Sequence, residues 1–251
     1  LDWPTSQMPD VIHAGYQALM VMAMEAGAEI GGWLGDRQMQ SECHGALRRL
    51  RRHVPDHLRN KQAAAMLVLA GLADPGKVCR TVIARGGAEG FSTFYGYYML
   101  EALAEGGLYD EALQILSEYW GAMLDLGATT FWEDLNYAHA AGAARIDEPV
   151  PAGKFDIHAE SGAYCYKGLR HSLCHGWASG PTPWLSRHVL GIVPLEPGCK
   201  SVAVRPHLGH LKWAEGTFPT PWGVIRVRHE RGADGKVSTS VSAPDGVRVV
   251  R

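Results

Sequence analysis

From Pro9 to Leu126 apolar side chains recur every three or four residues, and beyond Gly191 they alternate every second residue. A chain with that change of period has to put a set of helices first and a small sheet after them. The helical period predicts helices over Pro9 to Ile30, Gly35 to His53, Leu58 to Leu72, Gly76 to Arg85, Phe91 to Glu105 and Tyr109 to Leu126. Asp36 and Asp110 stand near two of the starts, where a carboxylate meets unpaired amides and the positive end of the helix dipole. Gly31-Gly32 and Gly106-Gly107 are expected stops. Segments of similar length joined by short loops pack antiparallel, as in a bundle or a toroid of hairpins, and no repeat at fixed spacing points to a solenoid.

Between Thr129 and Lys167 the periodicity fails, and the text is crowded with Gly, Pro, acidic and aromatic residues. Irregular segments of that length in a compact domain are often functional. A further helix is expected from about Leu169 to Leu190, bent at Gly180-Pro181-Thr182-Pro183. The tail alternates over Lys200 to Arg205, Leu211 to Phe218, Trp222 to Arg231, Lys236 to Ser242 and Val247 to Arg251, separated by turn sequences such as Ala233-Asp234-Gly235. Val224 to Arg228 alternates cleanly enough to put Arg226 and Arg228 on a wet face. The division is residues 1–192, helical, and 193–251, a small antiparallel β-sandwich.

With 46% apolar residues over 251 positions the chain can bury a large core. Twenty-four basic residues against 26 acidic ones give no footprint for a nucleic-acid backbone or an anionic membrane surface. The run from Arg48 to His53 is isolated in this balance, and a solvated or salt-bridged helix face accounts for it. No apolar run is long enough to cross a bilayer, since Val11 to Ile30 is broken by His13, Gln17, Glu25 and Glu29. Five scattered cysteines do not make a disulfide scaffold, and a reducing, cytoplasmic setting is favoured. The chain opens on Leu1-Asp2-Trp3-Pro4, which reads as the inside of a folded structure, so a longer parent is expected.

The densest chemical cluster is Gly127 to Asp134, where the last long helix gives way to the irregular segment. Trp132 beside Glu133 suits a sugar: an indole packs on the apolar face of a pyranose while a carboxylate handles protons and hydroxyls. The same residues equally fit a carboxylate bonded to a neighbouring helix end and an indole filling the core.

The stretch Gly127-Ala128-Thr129-Thr130-Phe131-Trp132-Glu133 resembles the segment that carries the catalytic base in family-78 glycoside hydrolases, the α-L-rhamnosidases. Leu1-Asp2-Trp3-Pro4 resembles a sugar-contacting Asp-Trp loop of that family. His171-Ser172-Leu173-Cys174-His175 resembles its Ser-Leu-x-His segment, whose histidine contacts rhamnose. The resemblance covers essentially the whole chain and implies the last hairpins of an (α/α)6 toroid followed by a C-terminal β-sandwich, in a bacterial six-hairpin glycosidase. It implies Glu133 as general base of an inverting reaction, with Asp2, Trp3, Trp132, His175 and Trp177 shaping the sugar pocket. The partner is then a carbohydrate, with no cofactor and no metal.

Two departures qualify it. The family's general acid lies in an Asp-Glu-Arg-x-Gly-Trp motif upstream of the Asp-Trp loop, and nothing of that form occurs here. Without a proton donor the leaving group departs unaided, at a cost of about two to four orders of magnitude; the piece alone is expected to be nearly inert. Asp134-Leu135-Asn136 also replaces the Arg-Trp common after the glutamate, and the loop before His175 is long and carries Asp156, His158 and Glu160; Asp156 and Glu160 fit alternative site carboxylates, but a solvated loop face accounts for them better. A truncated toroid would expose apolar helix flanks, so self-association or contact with the missing N-terminal part is expected.

Other motifs fail on spacing. His171-x-x-Cys174-His175 lacks the first cysteine of a haem-attachment site. Cys43-His44 and His53 to His57 lack the second pair that a zinc site needs. Gly86-Gly87 lies in a stretch without the lysine of a P-loop, and no Gly-x-Ser-x-Gly elbow appears. The rival readings are a different six-hairpin glycosidase or polysaccharide lyase, and a sugar-binding or scaffold module that keeps the fold without the acid.

Overall fold

The computed structural model describes residues 5–157 and 170–250. Contacts divide the chain into two compact units, Leu1–Ala178 and Ser179–Arg251. The first is helical and the second is mostly strand. The helical turns after Ser179 cluster with the strands, although the first strand begins only at Ile192, where the sequence puts the domain boundary.

In the first unit α1 (Pro9–Leu34), α2 (Arg37–Leu50), α3 (Lys61–Leu69), α4 (Pro75–Val78), α5 (Tyr95–Glu105) and α6 (Tyr109–Asp125) follow the helical period closely. α1 starts with Pro at its first position, where the missing N–H costs nothing. It runs through Gly31-Gly32 and stops at Gly35, whose φ of 70° suits a residue without Cβ and turns its N–H back on the preceding carbonyls. Asp36 then caps α2 by accepting from the Met39 amide at 2.9 Å. Asn60 and Asp74 cap α3 and α4 in the same way. Asp110 does not cap; it lies inside the first turn of α6, favourably placed for the dipole. α4 widens into a π-helical turn, Cys79–Ile83.

α1 packs on α2 and α3, α3 on α5, and α5 on α6. Met66, Leu67, Met99, Leu100, Leu103 and Tyr119 are the fully buried centre of this unit. Arg51 of the basic run pairs with Glu25 of α1, as a salt-bridged helix face would. One stripe of α1 is different: Tyr16, Met20, Ile30 and Leu34 share a face at helical spacing and are all exposed. Among the described residues no helix is long and apolar enough to cross a membrane.

The helix expected from Leu169 to Leu190 is not continuous. Residues 170–175 are irregular, Gly176–Ala178 is a single 3-10 turn, and α7 (Pro181–Trp184) runs into a π-helical turn, Leu185–Val189. Two prolines set that start, and the backbone before it is committed to other partners, described below.

The second unit holds two three-stranded sheets. β1 (Ile192–Pro194), β2 (Ser201–Val204) and β6 (Arg248–Val250) form one, and β3 (Trp213–Thr220), β4 (Gly223–Arg231) and β5 (Val237–Ser242) form the other in meander order. Ile192, Val202 and Val204 of the first sheet and Ile225 and Val227 of the second share one buried apolar cluster. The all-antiparallel expectation needs correcting: β2 and β6 are parallel, with Val202 opposite Val249. A parallel pair requires a long crossover, and the β3–β4–β5 meander provides it. β4 buries Ile225, Val227 and His229 and exposes Arg226 and Arg228, as its alternation predicts.

Candidate active site

α6 ends at Asp125, and Gly127, at φ 91°, turns the chain out of the helix into the irregular segment. Trp132 and Leu135 sink into the core and anchor it. The Tyr119 hydroxyl, buried on α6, donates to the Leu135 carbonyl at 2.8 Å. Around these anchors residues 130–134 run alongside residues 171–175 in opposite directions. The Glu133 amide donates to the Ser172 carbonyl at 2.8 Å, and the His175 amide donates to the Phe131 carbonyl at 2.8 Å. The Thr130 hydroxyl donates to the Leu173 carbonyl, and the Asp134 amide donates to Nε2 of the buried His171 at 3.0 Å. Buried backbone groups must find partners, and these two irregular segments satisfy each other.

This pairing fixes Glu133. One carboxylate oxygen, Oε2, accepts from the Ser172 amide at 3.0 Å, and the other accepts no hydrogen bond among the described residues. The Glu133 carbonyl accepts from the Thr93 hydroxyl at 2.5 Å and from the Trp177 indole N–H at 2.8 Å. The residue is therefore held by its amide, its carbonyl and one side-chain oxygen. It is only partly buried.

Around it stand aromatic rings. Trp177 lies 4.5 Å from the His175 ring and 5.6 Å from Phe94, and Phe94 meets Tyr98 edge-on at 5.7 Å, all as centroid separations. His175, Phe94, Tyr98 and Trp177 are each partly exposed. Partly exposed rings, one of them with its indole N–H committed to the Glu133 carbonyl, are suited to packing on a sugar.

Of the residues named from the sequence, Glu133, His175 and Trp177 are thus brought together. Trp132 is not with them. Its side chain is 0% exposed and meets His171 edge-on at 6.2 Å. A ring with no free face cannot stack on a sugar, so Trp132 supports the segment from beneath. Its indole N–H has no hydrogen-bond partner among the described residues. Asp2, Trp3, His158 and Glu160 lie outside the described residues. Thr5, just after the first pair, bonds Gln62, which bonds Ser92, the neighbour of Thr93. Asp156 makes no hydrogen bond to Glu133. Among the described residues no three His, Cys, Asp or Glu side chains are placed to share a metal ion.

Thr93, Phe94, Tyr98 and Ser172 were not legible as site residues. One signal was present: five of the eight residues from Phe91 to Tyr98 are aromatic, a density that a helix start in an ordinary core does not need.

This fold is similar to part of several solved α-L-rhamnosidases. The α-L-rhamnosidase of Aspergillus terreus superposes with a TM-score of 0.73 at 16% identity, over 92% of this chain and 27% of that one. The Streptomyces avermitilis α-L-rhamnosidase, solved in complex with L-rhamnose, gives 0.72 at 20% identity, over 93% and 22%. The family-78 rhamnosidase of Bacillus sp. GL1 gives 0.69 at 20%, over 91% and 25%. The chain therefore spans about a quarter of the length of these structures. In sequence, residues 191–250 match the bacterial α-L-rhamnosidase C-terminal domain family. No curated protein matches the sequence. The chain is similar to a C-terminal portion of the α-L-rhamnosidases, by fold along nearly all of it and by sequence in its second unit.

Proposed function

We propose that this chain carries the general-base half of an inverting glycoside hydrolase that releases terminal α-L-rhamnose, or a related sugar, from glycans or glycosides. The supporting observation is the state of Glu133: its backbone is pinned, in part by the indole of Trp177, one carboxylate oxygen is engaged and the other is unengaged among the described residues. A fixed carboxylate with one oxygen available is what deprotonating a water requires, because the base must be oriented before its basicity counts. His175, Trp177 and, from the sequence resemblance, Asp2 and Trp3 form the sugar pocket; Phe94 and Tyr98 extend it.

In this reading the proton donor stands across the sugar ring at about 6.5–9.5 Å from Glu133, leaving room for the water. It comes from a part of the (α/α)6 toroid that this sequence does not include, and the chain by itself turns over no substrate. The exposed stripe of α1 accords with this: Tyr16, Met20, Ile30 and Leu34 are the flank on which a preceding hairpin would pack.

The test is proton NMR of an aryl α-L-rhamnoside cleaved by the longer protein that contains this sequence. Rhamnose of inverted configuration appearing first is the expected result. Product of retained configuration would exclude Glu133 as a base in a single displacement, and an unsaturated, ultraviolet-absorbing product would make the protein a lyase.

A further inference from the structure

The outer face of the β3–β4–β5 sheet has no part in the site at Glu133, yet it is built like one. Strand alternation and register lay its side chains out as a grid. Trp213, Glu230 and Ser238 make one row across the three strands, Glu215, Arg228 and Ser240 the next, and Thr217, Arg226 and Ser242 the third. The face encloses an open concavity of about 520 Å³, within the range of small-molecule sites. At its corner Trp213 is 59% exposed, a large indole left in water.

The charges on this floor are unequal in their commitments. Arg228 is held by Glu215 and Glu230, and its guanidinium carbon lies 5.6 Å from the Trp213 ring centre, fixing the indole from one side. Arg226 makes no ion pair or hydrogen bond among the described residues and is flanked across the strands by the hydroxyls of Thr217 and Ser242. A fixed, exposed indole offers a surface for a sugar ring, the serine and threonine hydroxyls can exchange hydrogen bonds with its hydroxyls, and an uncommitted guanidinium matches a carboxylate in a two-pronged geometry. Glu215 and Glu230 are both committed to Arg228, so the formal charges of the floor balance, and Arg226 is the cation on it that has no partner among the described residues.

We infer that this face binds an acidic oligosaccharide, one unit of which packs on Trp213 while the carboxylate of a uronic-acid unit further along the glycan, two rows away, pairs with Arg226. The surface is non-catalytic and would hold an acidic glycan independently of the chemistry at Glu133.

Calorimetry on the 251-residue chain tests this with tri-galacturonic acid beside the neutral maltotriose. The acidic trisaccharide is expected to bind and the neutral one to bind at least about tenfold more weakly. Trp213→Ala and Arg226→Gln are each expected to weaken the acidic ligand by about tenfold, the size of one stacking or charge-assisted contact. Both positions are exposed, and circular dichroism verifies that the variants fold. Glu133→Gln should leave this binding unchanged, which separates it from the reading of the first site. No binding, equal binding of the two sugars, or unchanged affinity in both exposed-face variants would overturn the proposal.

Discussion

Glu133 and Ser172 bond each other twice: the Glu133 amide donates to the Ser172 carbonyl at 2.8 Å, and the Ser172 amide donates to Glu133 Oε2 at 3.0 Å. The reciprocal pair joins two irregular segments 39 residues apart in sequence and leaves the second carboxylate oxygen without a hydrogen bond among the described residues. The properties of the site follow from that joint and from what supports it.

The Glu133 carbonyl takes hydrogen bonds from both Thr93 and Trp177, so either donor alone can be lost with the acceptor still satisfied. Thr93→Val and Trp177→Phe are each expected to cost about 1 kcal/mol. For a chain of this size that is a fall of about 2–4 °C in Tm. The double variant should lose more than the sum, because the carbonyl is then left without either partner. Denaturant unfolding of the four-protein cycle measures this, and strict additivity would mean that the two bonds do not share the load.

His229 is buried in β4, with Thr239 Oγ1 at 2.9 Å from Nδ1 and the Leu190 carbonyl at 3.1 Å from Nε2. Burial pulls its pKa below the ordinary 6.5, opposed in part by the Leu190 carbonyl. The unfolded chain therefore binds a proton more readily than the folded one as the pH falls below about 6.5. Stability should be flat with respect to this group above that pH and decline below it. His229→Gln should make the acid-side decline shallower in urea titrations at successive pH values; an unchanged slope would show that His229 titrates normally.

The cysteines should separate by reactivity. Cys79 is fully buried, bonds the Ala102 carbonyl at 3.0 Å, and is pushed up to about 11 by that burial. Cys174 is exposed beside His175. Thiolate availability and access set the rate. Iodoacetamide at neutral pH, followed by peptide mass spectrometry, should label Cys174 well before Cys79, which is spared until denaturant is added.

The uncovered stripe of α1 predicts association of the isolated chain. Tyr16, Met20, Ile30 and Leu34 expose their apolar surface along one face, with Leu34 at 75%. Contiguous patches of this kind are uncommon on monomers. Light scattering should show a mass above 27.3 kDa that falls towards it in Met20→Glu/Leu34→Glu. A wild-type monomer would mean that the stripe needs no cover.

Much of this architecture is written in local chemistry. The helical period delimits α1 to α6, Asp36 caps where a carboxylate before a helix should, and alternation puts Arg226 and Arg228 outside. β1 is not legible, because three residues ending in proline give too short a period to read. The break of the expected helix before Pro181 depends on the pairing of residues 171–175 with a segment far back in the chain, which no local window contains. The same holds for Thr93 and Phe94, which reach Glu133 and Trp177 from the start of α5. Trp132 is instructive in another way. It is fully buried while the adjacent Glu133 is only partly so, and reading both as pocket walls ignores that adjacent residues need not share an environment.

The central claim is that the carboxylate of Glu133 takes the proton from the attacking water. Glu133→Gln in the longer protein keeps an acceptor for the Ser172 amide, so folding should hold while the base is lost. Steady-state hydrolysis of an aryl α-L-rhamnoside should then show kcat reduced by about 10²- to 10⁴-fold with Tm unchanged. Turnover equal to that of the parent protein would contradict the account.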